Sequence, residues 1–291
     1  MNDEAGDTGA DGSDPGAGEE LRSAEVMDLA RILEMSRHGH DVWVGSGPSY
    51  PWGGLYGGQI VAQGLLAGGY SVDESYRPHS VRAYFIRRGR HAEPVRYEVD
   101  RIRDGRSFCT RRVVARQGGE AILNLEASFQ RAEPSEDIET VAMDNSLPGP
   151  DALEESSWSP AFRRASVPSP AARMGAGRAA AWMAATPLGQ RAPLVDAAAF
   201  AFLSDDLPTD AVVRSHPRSA GEEDPWEGSV FSASLNHTIW FHRPGRADSW
   251  HLHDFSCHSF VGARGLALGH LHASDGTHVA TVAQEVLLRL S

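Results

Sequence analysis

The chain has 291 residues, comfortable for two domains of ordinary size, and its 41% hydrophobic and 23% charged residues are the balance of a globular protein in water. No apolar run approaches the roughly 18 residues of a membrane span. The net charge of -12 argues against nucleic acid as the main partner, although seven of the acids lie in the first twenty residues.

That first stretch, residues 1–20, is acidic and glycine-rich and has almost no large apolar side chains, so it is expected to be a disordered tail. An export signal would be basic and then apolar, so cytoplasmic residence is expected. Two cysteines, Cys109 and Cys257, are too few for a disulfide framework, and neither has the second Cys nearby that a four-ligand zinc site needs.

A helical spacing of Leu21, Val26, Leu29, Ile32 and Leu33 predicts a helix from about Glu20 to Met35. After the turn-rich G-S-G-P-S-Y-P-W-G-G, the run L-Y-G-G-Q-I-V-A-Q-G-L-L-A-G-G predicts a helix that opens at Gly57-Gly58. It is apolar around most of its circumference, as in a helix wrapped by a sheet. From His79 to Arg131 the pattern turns to short strands, broken at Arg88-Gly89, Asp104-Gly105 and Gly118-Gly119 and spaced as an antiparallel meander. The eleven arginines from Arg82 to Arg116 read mostly as a solvated strand surface, with a few available to an anionic ligand.

Residues 132–172 are rich in Pro, Ser, Glu and Ala without a period and read as a linker. A second apolar helix follows at L-V-D-A-A-A-F-A-F-L-S-D, then further short strands. The expected division is a tail at 1–20, one α+β unit at 21–131, the linker at 132–172, and a second unit at 173–291.

The two units look like copies. Y-F-I-R-R-G-R from Tyr84 lies on W-F-H-R-P-G-R from Trp240, Ser107-Phe108 and Arg112 on Ser259-Phe260 and Arg264, Gly118-Gly119 on Asp275-Gly276, and Gln130 on Gln284. The sequon Asn236-His237-Thr238 therefore falls on a structural strand and is expected to be inert. His251, His253, Cys257 and His258 invite a metal, but the first copy has no such cluster and no carboxylate spacing supports one, so no metal is expected.

L-Y-G-G-Q-I-V-A-Q, R-D-G-R-S-F, A-S-F-Q-R, F-L-S-D, S-L-N-H-T-I-W-F-H-R-P, and A-R-G followed by D-G-x-x-V-A-x-x-A-Q-E together resemble the type II, TesB-like acyl-CoA thioesterases over about residues 25–291. The resemblance implies an α+β double hotdog forming one pseudo-dimeric unit, hydrolysis of acyl-CoA without a cofactor, and a homo-oligomer, dimer or tetramer. It carries the family's catalytic Asp, Thr or Ser, and Gln onto Asp205, Ser234 and Gln284.

Those types suit the chemistry. A thioester needs a water held against its carbonyl carbon and donors where charge develops on oxygen. A carboxylate can take the water's proton while a hydroxyl and an amide orient it. Gly57, Gly58 and Gln59 open a helix, where unpaired N–H groups can meet an oxyanion. Arg87, Arg88, Arg243 and Arg264 are candidates for CoA phosphates.

The chain departs from the family in having Asn236 for a common Asp and Val286 for a common Gly, and Asn236 is expected to share a strand face with Ser234 as its supporting partner. The segment from Arg214 to Gly228 looks longer than in the family. Two other readings stay open: a double-hotdog enoyl-CoA hydratase, which the chain disfavours by lacking Asp-x-Asn with a suitably spaced His, and a non-catalytic acyl-CoA-binding protein. An α/β-hydrolase is excluded by the lack of G-x-S-x-G.

Overall fold

A computed structural model describes residues 27–91, 93–168, 177–217 and 230–290. The expected tail, the start of the first expected helix and most of the segment 214–228 lie outside the described residues. Of that helix, Leu29–Ile32 (α1) is helical, and its N-cap Asp28 accepts from the Arg31 N–H at 2.9 Å. Where the expected helix ends, Met35–Gly39 forms a strand, β1, paired with Val42–Gly45 (β2).

The glycine-opened run forms α2, Gly57–Gly69, and every residue from Gly58 onward is buried, as an all-round apolar surface demands. The strands Tyr76–Phe85 (β3), Val95–Asp104 (β4), Phe108–Gln117 (β5) and Glu120–Arg131 (β6) follow. The expected meander holds for β4–β6, but β3 leaves it and pairs with β6 rather than β4, since residues 86–94 carry the chain across the sheet.

The second half contains Phe162–Ser166 (β7), Arg178–Ala185 (β8), Pro193–Leu203 (α3), Leu207–Ser215 (α4), Val230–Ser234 (β9), Asn236–Phe241 (β10), His251–Val261 (β11), Arg264–Ala273 (β12) and His278–Leu290 (β13). The strands join one sheet in the order β1-β2-β4-β5-β6-β3-β10-β13-β12-β11-β8-β7, with β9 also on β13.

The stretch expected to be a linker carries β7 and is tied to the second half at several points. Asp137 and Glu139 pair with Arg243, Asp144 pairs with Arg178, and Pro148 O accepts from Trp182 Nε1 at 2.8 Å. Low periodicity there marks a segment packed across a sheet face, so its partners are nonlocal and leave no local pattern.

The repeat can be tested in the register. Laying Tyr84 on Trp240 lays Ser80 on Asn236, and in the sheet Tyr84 faces Asn236 while Ser80 faces Trp240. That is how two equivalent strands pair across a two-fold axis, here at Arg82 and Thr238, so the halves form a double hotdog with one continuous sheet. The turns at Gly118-Gly119 and Asp275-Gly276 also correspond, with positive φ at Gly119 (84°) and Gly276 (90°).

Three expected equivalences fail, one of them Arg112 with Arg264: Arg112 faces Glu126, and the counterpart of Glu126, Ala283, faces Leu268. Ser259-Phe260 end β11, whereas Ser107-Phe108 lead into β5. The tight turn at Gly262-Ala263, both at φ 60°, is shorter than the bend at 105–107, so the alignment slips there. Gln284 corresponds to Ala127 rather than Gln130, because Arg82 faces Glu126 as Thr238 faces Ala283.

Candidate active site

Helices α2 and α3 lie antiparallel at the centre. A Cβ on Gly69 would fall 2.5 Å from Leu194, and one on Gly58 would fall 2.4 Å from Phe202 O, so only glycine lets the backbones come this close. The N-terminus of α2 thereby meets the C-terminus of α3. Ser204 caps α3, and Asp205 follows it directly.

Asp205 is 5% exposed. Its Oδ2 accepts from the Gly58 N–H at 2.8 Å and its Oδ1 from the Ser234 hydroxyl at 3.0 Å. Burial raises its pKa from the ordinary 3.8 to about 6, against the lowering effect of the bonds from Ser234, Gln284 and Gly58. The carboxylate sits at the positive end of α2. At the negative end stands a cation: buried Arg111 donates to Ser71 Oγ (2.7 Å) and Ser71 O (3.2 Å) just past α2.

Asp206, its neighbour, is a structural acid. It accepts from Trp158 Nε1 at 2.6 Å and pairs with Arg164 at 2.7 Å, and Arg164 also holds Asp210. Of the two adjacent acids one is neutralised by a cation, while among the described residues Asp205 is met by neutral donors.

The structure brings Ser234 and Gln284 together with Asp205. Gln284 Nε2 donates to Ser234 Oγ at 2.8 Å. Asn236 does not join them, and that expectation is corrected: its amide is taken up by Glu285, donating to Oε2 at 2.7 Å and accepting from the N–H at 3.1 Å.

The cause is a bulge. Val286 faces Ser234 and Ala283 faces Thr238, so four steps on the β9–β10 side run against three on β13. The extra residue at Leu235 shifts the phase, and His237 rather than Asn236 turns to the site. Fully buried, His237 places Nδ1 2.5 Å from Gln284 Oε1 and Nε2 2.9 Å from Ser204 Oγ. Burial lowers its pKa to about 4, so the ring is neutral. Sequence reasoning passed over His237 and Ser204; Ser204 adjoins Asp205, whereas His237, three residues past Ser234, falls on the site's face only because of the bulge.

The other candidates fall variously. Gly57 is half-buried, and a Cβ there would lie 2.5 Å from Asp205 Oδ2. Gly58 already donates its N–H to Asp205. The Gln59 side chain accepts from Tyr50 OH at 2.7 Å through Oε1, and its buried Nε2 has no hydrogen-bond partner among the described residues. Arg87 lies 3.4 Å from Glu120, Arg243 pairs with Asp137 and Glu139, and Arg264 lies 3.5 Å from Glu285. Arg88 differs, bonding Trp52 O and packing on Gly54 in the loop that enters α2. Val286 is a buried strand residue.

The pseudo-equivalent end has no such group. Ser71 stands where Asp205 does relative to its helix, and Ala127 where Gln284 does. A cavity of about 760 Å³ opens there, lined by Leu33, Met35, Leu66, Tyr70, Leu188 and Val195, remote from Asp205. His251 packs on Phe200, and His253 is buried without a hydrogen-bond partner for its ring among the described residues. No helix of the described residues is long and apolar enough to cross a membrane.

Two helices back to back within one wrapped sheet, with a carboxylate buried where they meet, define a double-hotdog protein. The family described as acyl-CoA thioesterase N-terminal domain matches residues 47–130, and that described as acyl-CoA thioesterase C-terminal domain matches residues 136–288. The chain is 31% identical to mouse acyl-coenzyme A thioesterase 8, over 93% of this chain and 91% of the relative, and 27% identical to Haemophilus influenzae acyl-CoA thioesterase 2, over 91% and 98%. Among solved structures it resembles acyl-CoA thioesterase II TesB2 from Mycobacterium marinum, with TM-score 0.78, 32% identity, and 90% and 98% of the two chains covered. The chain belongs to the TesB-like acyl-CoA thioesterase family, which are thioester hydrolases.

Proposed function

We propose that this chain hydrolyses acyl-CoA thioesters to a carboxylic acid and free CoA by direct attack of a water held at Asp205, Ser234 and Gln284. The observation that carries the reading is the buried carboxylate that receives neutral donors and whose pKa is raised to about 6. Such a group is charged at neutral pH yet basic enough to take a proton.

In this scheme water gives a proton to Asp205 as its oxygen bonds the thioester carbon. The oxyanion is met by N–H groups in the first turn of α2, which have no acceptor within the helix. The C–S bond then breaks, and the leaving thiolate takes the proton from Asp205. Ser234 and the Gln284 amide fix the water and the carboxylate relative to each other. Gly57 leaves the approach open beside Asp205, and Arg88, on the loop entering α2, is the arginine best sited for a CoA phosphate. With Ser71 and Ala127 at the pseudo-equivalent positions, the described residues form one such centre.

The test is release of CoA thiol from acetyl- to palmitoyl-CoA by wild type and Asp205→Asn, side by side. Turnover in wild type that Asp205→Asn lacks is expected; a variant as fast as wild type removes Asp205 from the chemistry.

A further inference from the structure

Gln284 poses a problem that Asp205 and Ser234 do not. A side-chain amide has two nearly isosteric ends, one donating and one accepting, and only one orientation gives Ser234 what it needs. Ser234 must give its own hydrogen to the Asp205 carboxylate, which accepts only. Its oxygen then has to receive one, so the NH₂ of Gln284 must face it. Nothing in the pair Ser234–Gln284 alone forbids the reversed amide.

The neighbours on the far side do. With its NH₂ toward Ser234, Gln284 turns Oε1 to His237 Nδ1 at 2.5 Å, and that nitrogen must carry the hydrogen. A neutral imidazole with Nδ1–H has a bare Nε2, and 2.9 Å from it is the Ser204 hydroxyl, whose other acceptor, Ala201 O, is farther away at 3.4 Å, so the ring nitrogen takes the hydrogen. Every donor is matched in one direction: Ser204 to His237, His237 to Gln284, Gln284 to Ser234, Ser234 to Asp205. This run of hydrogen bonds begins one residue before Asp205 and returns to it, closing a ring through the end of α3, β10, β13 and β9.

We infer that His237, with Ser204 behind it, is a positioning residue that fixes the orientation of the Gln284 amide and so the donor side of the reaction site. The inference rests on the thioesterase reading above and adds to it a residue that touches no reacting atom. His237 is fully buried and Ser204 equally so, hence water does not compete for these bonds.

The test is a cycle of His237→Leu and His237→Asn made alone and in a Gln284→Ala background, with melting followed for each. Asn keeps a donor near the position of Nδ1, and Leu keeps only bulk. His237→Leu is expected to lose about 10²-fold in kcat with KM within about twofold, the size of one misplaced donor. His237→Asn is expected to recover most of that loss. In the Gln284→Ala background His237→Leu should change kcat by less than about threefold, since the group it positions is gone.

Equal loss in both backgrounds would show a merely structural role and overturn the inference, as would full activity in His237→Leu beside an impaired Gln284→Ala. Separately, ¹⁵N spectra of the wild-type imidazole should show Nδ1 protonated and Nε2 bare. An Nε2-protonated ring overturns the positioning role whatever the kinetics. Absence of thiol release from the wild type would instead strike the thioesterase reading, while the tautomer still decides the role of His237.

Discussion

Replacing Asp205 by Asn should cost activity and, above pH 6, gain stability. Below pH 3.8 the carboxyl is protonated in folded and unfolded chains alike and favours neither. As pH climbs from there through about 6, the unfolded chain ionises first and the folded state falls behind, because burial disfavours the charge. A rise of roughly two pKa units at about 1.4 kcal/mol each gives about 3 kcal/mol over the whole window. Of this, about 2 kcal/mol falls between about pH 4.5 and about pH 7.5. Asn is free of that penalty at every pH, although one of its ends must face a donor, a constant cost of about 1 to 2 kcal/mol. The gap between variant and wild type should thus move by about 2 kcal/mol in favour of Asn between the two pH values, about 3 to 4 °C in melting temperature for a chain of this size. Thermal melts of both proteins at both pH values read it directly. A gap independent of pH would refute the raised pKa, and with it the basis for treating Asp205 as a base.

The same titration should appear in catalysis, with kcat/KM falling as pH drops through about 6, since the charged form is the one that takes a proton; a rate flat to pH 5 would contradict it. Gly57→Ala would push a methyl to within 2.5 Å of Asp205 Oδ2, so thiol release should fall at least about tenfold while melting changes by less than about 1 kcal/mol. Arg111→Leu strips donors from Ser71, Arg103 and Thr110 carbonyl oxygens at the opposite end of α2, and should cost about 3 kcal/mol by denaturant titration with kcat per folded molecule unchanged.

What was legible in the sequence follows the range of the physics behind each feature. The helices α2 and α3 announce themselves by apolar runs opened by glycines or proline, and the halves by a repeated aromatic and turn motif whose register the sheet then repeats. Strands β1, β2, β7 and β8 were missed. In β8, A-A-A-W-M-A-A gives no alternation because both of its faces are largely covered, and β1, M-S-R-H-G, is mostly exposed and has no apolar face to mark it. Asp205, Ser234 and Gln284 were read from family resemblance, since a lone acid, hydroxyl and amide carry no local signal. Asn236 was assigned by strand alternation, which is sound for a regular strand and fails at the one-residue bulge that brings His237 inward instead.

The account's central claim is that water, activated at Asp205, attacks the thioester directly. Hydrolysis of an acyl-CoA by excess enzyme in ¹⁸O-water, a single turnover, tests this against a covalent route in which the carboxylate attacks the thioester and water later opens the mixed anhydride at the Asp205 carbonyl. Direct attack puts one labelled oxygen in the released acid and none in the peptide that contains Asp205. Label recovered in that peptide would contradict the claim and make Asp205 the nucleophile.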